Sequence, residues 1–300
     1  MCAFDDGFVK SSSLIFVETG KSALADRNLV LASTGTFIGR ANNADYTIIP
    51  EITSKLRCDG IELLFMMVWN DRLQEIAKEV KSSGVNIYSA HLDKNIGMLF
   101  SEGTDKDDKD ALKMFEKNII AAKISGAKIA VLHLWGGPKS DGQIVRTKKH
   151  LNQMYKISNE LGVTLTIENI PCLFSDPLSV WKELHEEYPE IRFTFDTRFA
   201  AYHDQYMDIY NSGLWTSVAH VHVSSFNGKK NEIGFIRPIL HYDEGAIDFD
   251  HLFSNMPLYK GAVVLESPAL KEDGSINTDR LNKSLDHIRD SFAKYNIYNK

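Results

Sequence analysis

Two glutamates, an aspartate and a histidine stand at or near the ends of four successive runs of strand-forming residues. Glu168 closes Val163–Glu168, Asp196 closes Arg192–Asp196, His222 lies in Val218–Val223, and Glu266 closes Ala262–Glu266. Successive side chains on a strand point to opposite faces. Val163, Leu165 and Ile167 therefore share one face, and Thr164, Thr166 and Glu168 the other. The same alternation sets Phe193 and Phe195 against Arg192, Thr194 and Asp196, and Ala219, Val221 and Val223 against His220 and His222. In the last run Val263 and Leu265 oppose Val264 and Glu266. Three carboxylates and one imidazole on a common face suit Mn²⁺, Mg²⁺, Co²⁺ or Zn²⁺ and exclude a thiolate site. Buried unpaired carboxylates are costly, so a single divalent cation is the natural counter-charge. Singly, each residue has a plainer reading: a loop glutamate, an Asp196-Thr197 helix cap, a hydrogen-bonded core histidine. All four on one face and one end are not accounted for that way.

Earlier runs add polar groups. Ile87, Ser89 and His91 share a face, as do Ile129, Val131 and His133, and Glu62 opposes Ile61 and Leu63. His91, His133, His241 and Glu62 are read as substrate-binding groups, with structural hydrogen bonding as the alternative for His91 and His133. Trp135 is placed for stacking on a sugar ring or for core packing. Arg198, beside Asp196, is placed for a carboxylate or phosphate, or else for solvent.

These groups need a frame that aims strand ends at one point. Strands are expected at Leu29–Ser33, Gly60–Phe65, Val85–His91 and Lys128–His133, followed by the four runs above. Helical periodicity fills the gaps, clearest in Asp71–Ser82, where Leu73, Ile76, Ala77 and Val80 recur at spacings of three and four. Asp107–Ile124 and Lys148–Leu161 behave likewise, and Asp176-Pro177 carries the signature of a helix start. Gly84, Gly126 and Gly162 fall where helices hand over to strands, the place for a left-handed cap. Eight strands alternating with helices predict an α/β fold, a single-domain (β/α)8 TIM barrel, whose sites lie at the C-terminal strand ends. The competing doubly wound sheet lacks its GxGxxG turn: Ser33-Thr34-Gly35-Thr36 has one glycine. Residues 28–300 are assigned to the barrel and 1–27 to a short N-terminal extension: a hairpin, a homo-oligomer contact or an arm.

The 300 residues, 43% hydrophobic and 25% charged, fit one soluble barrel. A net charge of −6 argues against nucleic acid as a partner. Cys2, Cys58 and Cys172 are odd in number and scattered, which predicts no disulfide framework and a reducing compartment. No apolar run is long enough to span a membrane, and Asp5 and Asp6 disrupt any signal peptide, so a cytoplasmic location is expected.

An ordered set of segments carries a family resemblance: SAHL (89–92), AKIAVLHLWGG (127–137), VTLTIENIP (163–171), FTFDTRFA (193–200), HVHVSS (220–225), EGAIDF (244–249) and VVLES (263–267). Over about residues 28–295 the chain resembles the xylose isomerase-like TIM-barrel superfamily, the sugar phosphate isomerase/epimerase group. The resemblance implies one divalent metal, often Mn²⁺, on Glu168, Asp196, His222 and Glu266. It also implies acid–base roles for Glu168 and Glu266 on a sugar or sugar phosphate. Three positions depart from the pattern. Phe199 stands where a histidine is frequent, Ser225 where an acid is common, and His241-Tyr242-Asp243-Glu244-Gly245 is a shortened His-x-x-x-Gly-x-Gly. They weaken the likeness to the multi-zinc site of endonuclease IV.

The expected chemistry is proton removal beside a carbonyl, giving an enediolate. Isomerisation, epimerisation, dehydration and C-glycoside cleavage all pass through that species. Endonuclease IV-like phosphodiester hydrolysis and a non-catalytic sugar-binding barrel are the readings from other classes.

Overall fold

The computed structural model describes residues 28–136, 140–229, 236 and 238–295. The extension assigned to residues 1–27, with Cys2, lies outside them. Eight parallel strands form a closed barrel in sequence order. They are β1 (Val30–Ser33), β2 (Gly60–Leu64), β3 (Ile87–His91), β4 (Ile129–Leu132), β5 (Thr164–Glu168), β6 (Arg192–Asp196), β7 (Val218–Val223) and β8 (Ala262–Leu265). Closure is made by β1 on β8, with Leu31 opposite Val264. The (β/α)8 architecture expected from the sequence is the observed one.

The helices around it are α1 (Ile49–Lys55), α2 (Leu73–Ser82), α3 (Asn95–Glu102), α4 (Asp105–Ser125), α5 (Ile144–Lys148) and α6 (Leu151–Glu160). After β5 come α7 (Pro177–Glu187), α8 (Thr197–Tyr202), α9 (Tyr206–Asn211), α10 (Phe249–Asn255) and α11 (Thr278–Tyr295). In α2 the buried residues are Leu73, Ile76, Ala77 and Val80, the set its periodicity selects. Its first turn is tighter than expected, with Met67–Arg72 a 3₁₀ segment. The expected helix Lys148–Leu161 is broken at Lys149 and His150 into α5 and α6. Asp176 caps α7 by accepting from Ser179 N at 2.8 Å. Gly84, Gly126 and Gly162 all take positive φ, at 84°, 85° and 68°.

Alternation along the strands divides the core in two. Outward residues such as Ile61, Leu63, Leu165, Phe193 and Val263 join one large cluster beneath the helices. Leu31, Ala262 and Val264 form a separate apolar plug inside the barrel. Phe193 stacks on Trp181 of α7, with centroids 4.3 Å apart and planes 15° from parallel. Both rings are fully buried. Phe193→Ala is therefore expected to cost about 3–5 kcal/mol of stability, measured by urea denaturation. Cys58 and Cys172 are free thiols.

Candidate metal centre

Above the plug the interior turns polar, layer by layer. Thr166 and Thr194 hydroxyls pair at 2.7 Å. Glu62 occupies the same zone from β2, fully buried. Its Oε2 accepts from Ser89 Oγ at 3.1 Å and meets His220 Nε2 at 2.9 Å and His222 Nε2 at 3.2 Å. One layer higher, at the C-terminal ends of β5–β8, Glu168, Asp196, His222 and Glu266 converge. Each offers a ligand atom, and these atoms all lie within 4.8 Å of one another. His222 Nδ1 is 2.8 Å from Glu168 Oε1 and 3.5 Å from Glu266 Oε1.

Side chains beyond the strand ends keep the convergence in register. Asn169 accepts from Asp196 N at 2.7 Å and donates to Asp196 O at 3.1 Å. Thr197 Oγ1 donates to Ser224 O at 2.9 Å. Asn169 and Thr197 carry no role in the sequence reading; the signal was present, because each directly follows an inward carboxylate.

The electrostatics follow from packing three carboxylates and one imidazole together in a buried space. Asp196 does cap α8, its Oδ1 accepting from Phe199 N at 2.8 Å. That uses one oxygen; Oδ2 is buried without a hydrogen-bond partner. Burial pushes the Asp196 carboxyl up, Arg198 opposes, and Glu168 and Glu266 add to the rise, to about 7. Burial alone would lower the His222 imidazole, but Glu266, Glu62 and Glu168 outweigh it and hold its pKa well above the usual value. Burial would likewise raise Glu168; His222, against its Oε1, holds it well below the carboxylate range instead. The donor set, the orphaned Asp196 oxygen and the uncompensated negative charge fit a divalent cation.

His133 and His91 reach the same carboxylate from the other side. His133 Nε2 lies 2.6 Å from Glu168 Oε2 and His91 Nε2 lies 3.5 Å from it. Yet Glu168 Oε2 has no partner with hydrogen-bond geometry. Burial drives His133 down to about 3 against the pull of Glu168, so the ring is neutral and the contact is no ion pair. Neutral imidazole is the form that ligates metals. His91, His133 and Glu168 thus make a second group able to hold an ion, and Glu62, His220 and His222 a third. The four residues expected together are brought together, and two further groups adjoin them, one through Glu168 and one through His222.

Three other expected substrate-binding groups are placed differently. Trp135 is fully buried, with its indole N–H 3.4 Å from Pro171 O, so it is a core ring without a free stacking face. Glu62 is sealed beneath His222, away from the mouth. His241 is a clamp: Nε2 donates to Pro268 O at 3.1 Å and Nδ1 accepts from Ser284 Oγ at 2.7 Å. With both nitrogens committed and burial lowering its pKa, His241 ties the segment after β8 to α11. His241→Ala leaves Ser284 Oγ and Pro268 O unpaired. It is expected to cost about 1–3 kcal/mol in thermal or urea unfolding while leaving metal affinity unchanged. Arg198 is not a solvated loop arginine. It is buried, donating from Nε to Ser224 Oγ and from Nη1 to Ile236 O, both at 3.0 Å. Ser225, where an acid is common, lies against Gly245: a Cβ on that glycine would come within 1.9 Å of Ser225 Oγ. A longer side chain at position 225 has no room there.

The chain belongs to the xylose isomerase-like TIM-barrel family, whose model matches residues 50–291. No curated protein matches the sequence. Among solved structures it is similar to a 3-keto-D-glucoside 4-epimerase from E. coli, at 17% identity and a TM-score of 0.62, covering 88% of this chain and 100% of that one. An IOLI protein with a zinc atom aligns at 15% identity and a TM-score of 0.66, covering 89% and 99%. An L-ribulose 3-epimerase aligns at 13% and 0.65, covering 89% and 95%. At these identities the likeness is one of fold. Among the described residues no helix is long and apolar enough to cross a membrane.

Proposed function

We propose that the protein is a divalent-metal-dependent isomerase or epimerase of a sugar or sugar derivative. The observation that carries the reading is the convergence of Glu168, Asp196, His222 and Glu266 with a buried, unpartnered Asp196 oxygen. The epimerases among the structural relatives support it. Glu168, Asp196, His222 and Glu266 would hold a divalent cation, which would supply Lewis-acid polarisation of a substrate carbonyl beside the C–H to be broken. Glu168 and Glu266 then act on that proton. Glu266 keeps 16% of its side chain exposed, against 1% for Glu168, so Glu266 meets an incoming substrate more directly. Carboxylates on opposite faces of one carbon give epimerisation; a single base serving two carbons gives isomerisation. His133, 10% exposed, is the histidine open to substrate hydroxyls.

The test is incubation of metal-loaded protein with a panel of ketoses and keto-glycosides in D₂O. Epimer or isomer formation with deuterium beside the carbonyl is the expected result. No interconversion of any member by metal-loaded protein would overturn the assignment.

A second reading, metal-assisted phosphoester hydrolysis, has one observation in its favour: Glu168 belongs to two adjacent ligand groups, as a bridging carboxylate would. Elemental analysis separates the two, since this reading requires at least two ions per chain and metal-dependent phosphoesterase activity.

A further inference from the structure

We infer that Glu62 is the positioning residue of the metal centre: it holds His222 by Nε2 so that Nδ1 faces Glu168 and Glu266. The inference rests on the metal-centre reading above and adds a component that lies outside the quartet.

The geometry of the two imidazole nitrogens carries it. His222 Nε2 meets Glu62 Oε2 at 3.2 Å, while Nδ1 points the other way, 2.8 Å from Glu168 Oε1. A carboxylate accepts hydrogen bonds and does not donate them when ionised. With Glu62 ionised, Nε2 is the donor in that contact, which leaves Nδ1, on the Glu168 and Glu266 side, as the nitrogen that would face a cation once it gives up its own proton. A ring nitrogen turned toward a metal is commonly fixed this way, by a carboxylate on the opposite nitrogen, which also raises ligand basicity.

Glu62 is itself held. Ser89 Oγ donates to the same oxygen at 3.1 Å, and His220 Nε2 reaches it at 2.9 Å. The three partners come from β3 and β7, on either side of the barrel interior, and every one of these side chains is fully buried. Such a sealed arrangement cannot bind a substrate. It costs desolvation of a carboxylate, and its remaining oxygen, Oε1, has no partner. An apolar residue would fill the position more cheaply, and the barrel floor just below is apolar. A polar group retained there at a cost points to a task, and the atom it touches is the back of a proposed ligand.

The test uses Co²⁺ as the probe. Glu62→Gln preserves shape and removes the charge. It is expected to weaken Co²⁺ binding about 10–100-fold and to alter the visible Co²⁺ absorption, while the metal-free protein keeps its far-UV spectrum and cooperative melting. Equal Co²⁺ affinity and an unchanged spectrum in Glu62→Gln would overturn the inference while leaving the centre itself standing. Failure of the unmutated protein to bind Co²⁺ would remove the centre, and this inference with it. If Glu62→Gln does not fold, the tautomer of His222 in the unmutated protein decides. Long-range ¹H–¹⁵N spectra of Zn²⁺-loaded protein should show Nε2 protonated and Nδ1 bare. A proton on Nδ1 overturns the assignment.

Discussion

Replacing Glu168 by glutamine is expected to remove both metal and activity, the largest loss from any conservative change in this protein. Glu168 lies in two of the three ligand groups, with one oxygen 2.8 Å from His222 and the other 2.6 Å from His133. Glutamine keeps the shape but substitutes an N–H donor for one acceptor and removes the charge. Loss of a general base alone lowers a rate by about 10²–10⁴-fold, and a weakened cation site adds to that. Glu266→Gln tests the same chemistry from the mouth of the barrel. Being more exposed and outside the His133 group, Glu266 is expected to cost rate more than metal. Stoichiometry by elemental analysis, kcat on the substrate found in the ketose panel, and deuterium uptake from D₂O report the two effects separately. Both variants turning over within tenfold of the parent, with metal bound, would take these carboxylates out of the mechanism.

Metal binding itself is expected to be strongly pH-dependent and strongly stabilising. In the metal-free protein burial lowers the His222 imidazole but Glu266, Glu62 and Glu168 outweigh it and hold its pKa well above the usual value, and burial pushes the Asp196 carboxyl up to about 7. Both must give up protons to ligate. Uptake at pH 7 should release between about one and two protons per ion, and affinity should fall by about tenfold or more per pH unit below neutrality. Both folded-state values are raised, so protons compete increasingly as pH falls: His222 below its raised pKa, and Asp196 in addition from about pH 7 downward. Calorimetric titrations of Mn²⁺ or Zn²⁺ in buffers of different ionisation enthalpy count the protons. An ion at 1,000 times its dissociation constant contributes about 4 kcal/mol to stability. At about 2.1 cal/mol/K of unfolding entropy per residue, chelation should therefore lower Tm by roughly 6 °C for a chain of this size. A Tm indifferent to chelator and to added metal, or an affinity flat between pH 6 and 8, speaks against the centre.

The local content of the sequence reaches far in this protein. Period-two alternation is a property of each strand alone, so Glu168, Asp196, His222 and Glu266 can be placed on the inward face without knowing what lies opposite. The same holds for the buried stripe of α2 and for the left-handed glycines after α2, α4 and α6. Eight such units leave little choice but closure. What local pattern does not carry is which inward groups meet. Glu62 and His222 are separated by 160 positions, and their contact exists because β2 and β7 face each other across a closed barrel. Inwardness therefore marked Glu62 as a substrate group, and only its depth shows it sealed beneath a histidine. From sequence His241 reads as a substrate group, and Trp135 stays between stacking and core packing, for a related reason. They lie on connections, where no period constrains a side chain, and their partners Pro268, Ser284 and Pro171 come from other connections or from α11. Asp196 shows why a residue need not have one role: one oxygen caps a helix, as its neighbourhood predicts, and the other is left for what barrel closure brings to it. Residue type and face were written strand by strand; distance, depth and the sharing of Glu168 and His222 among three groups came from closing the ring.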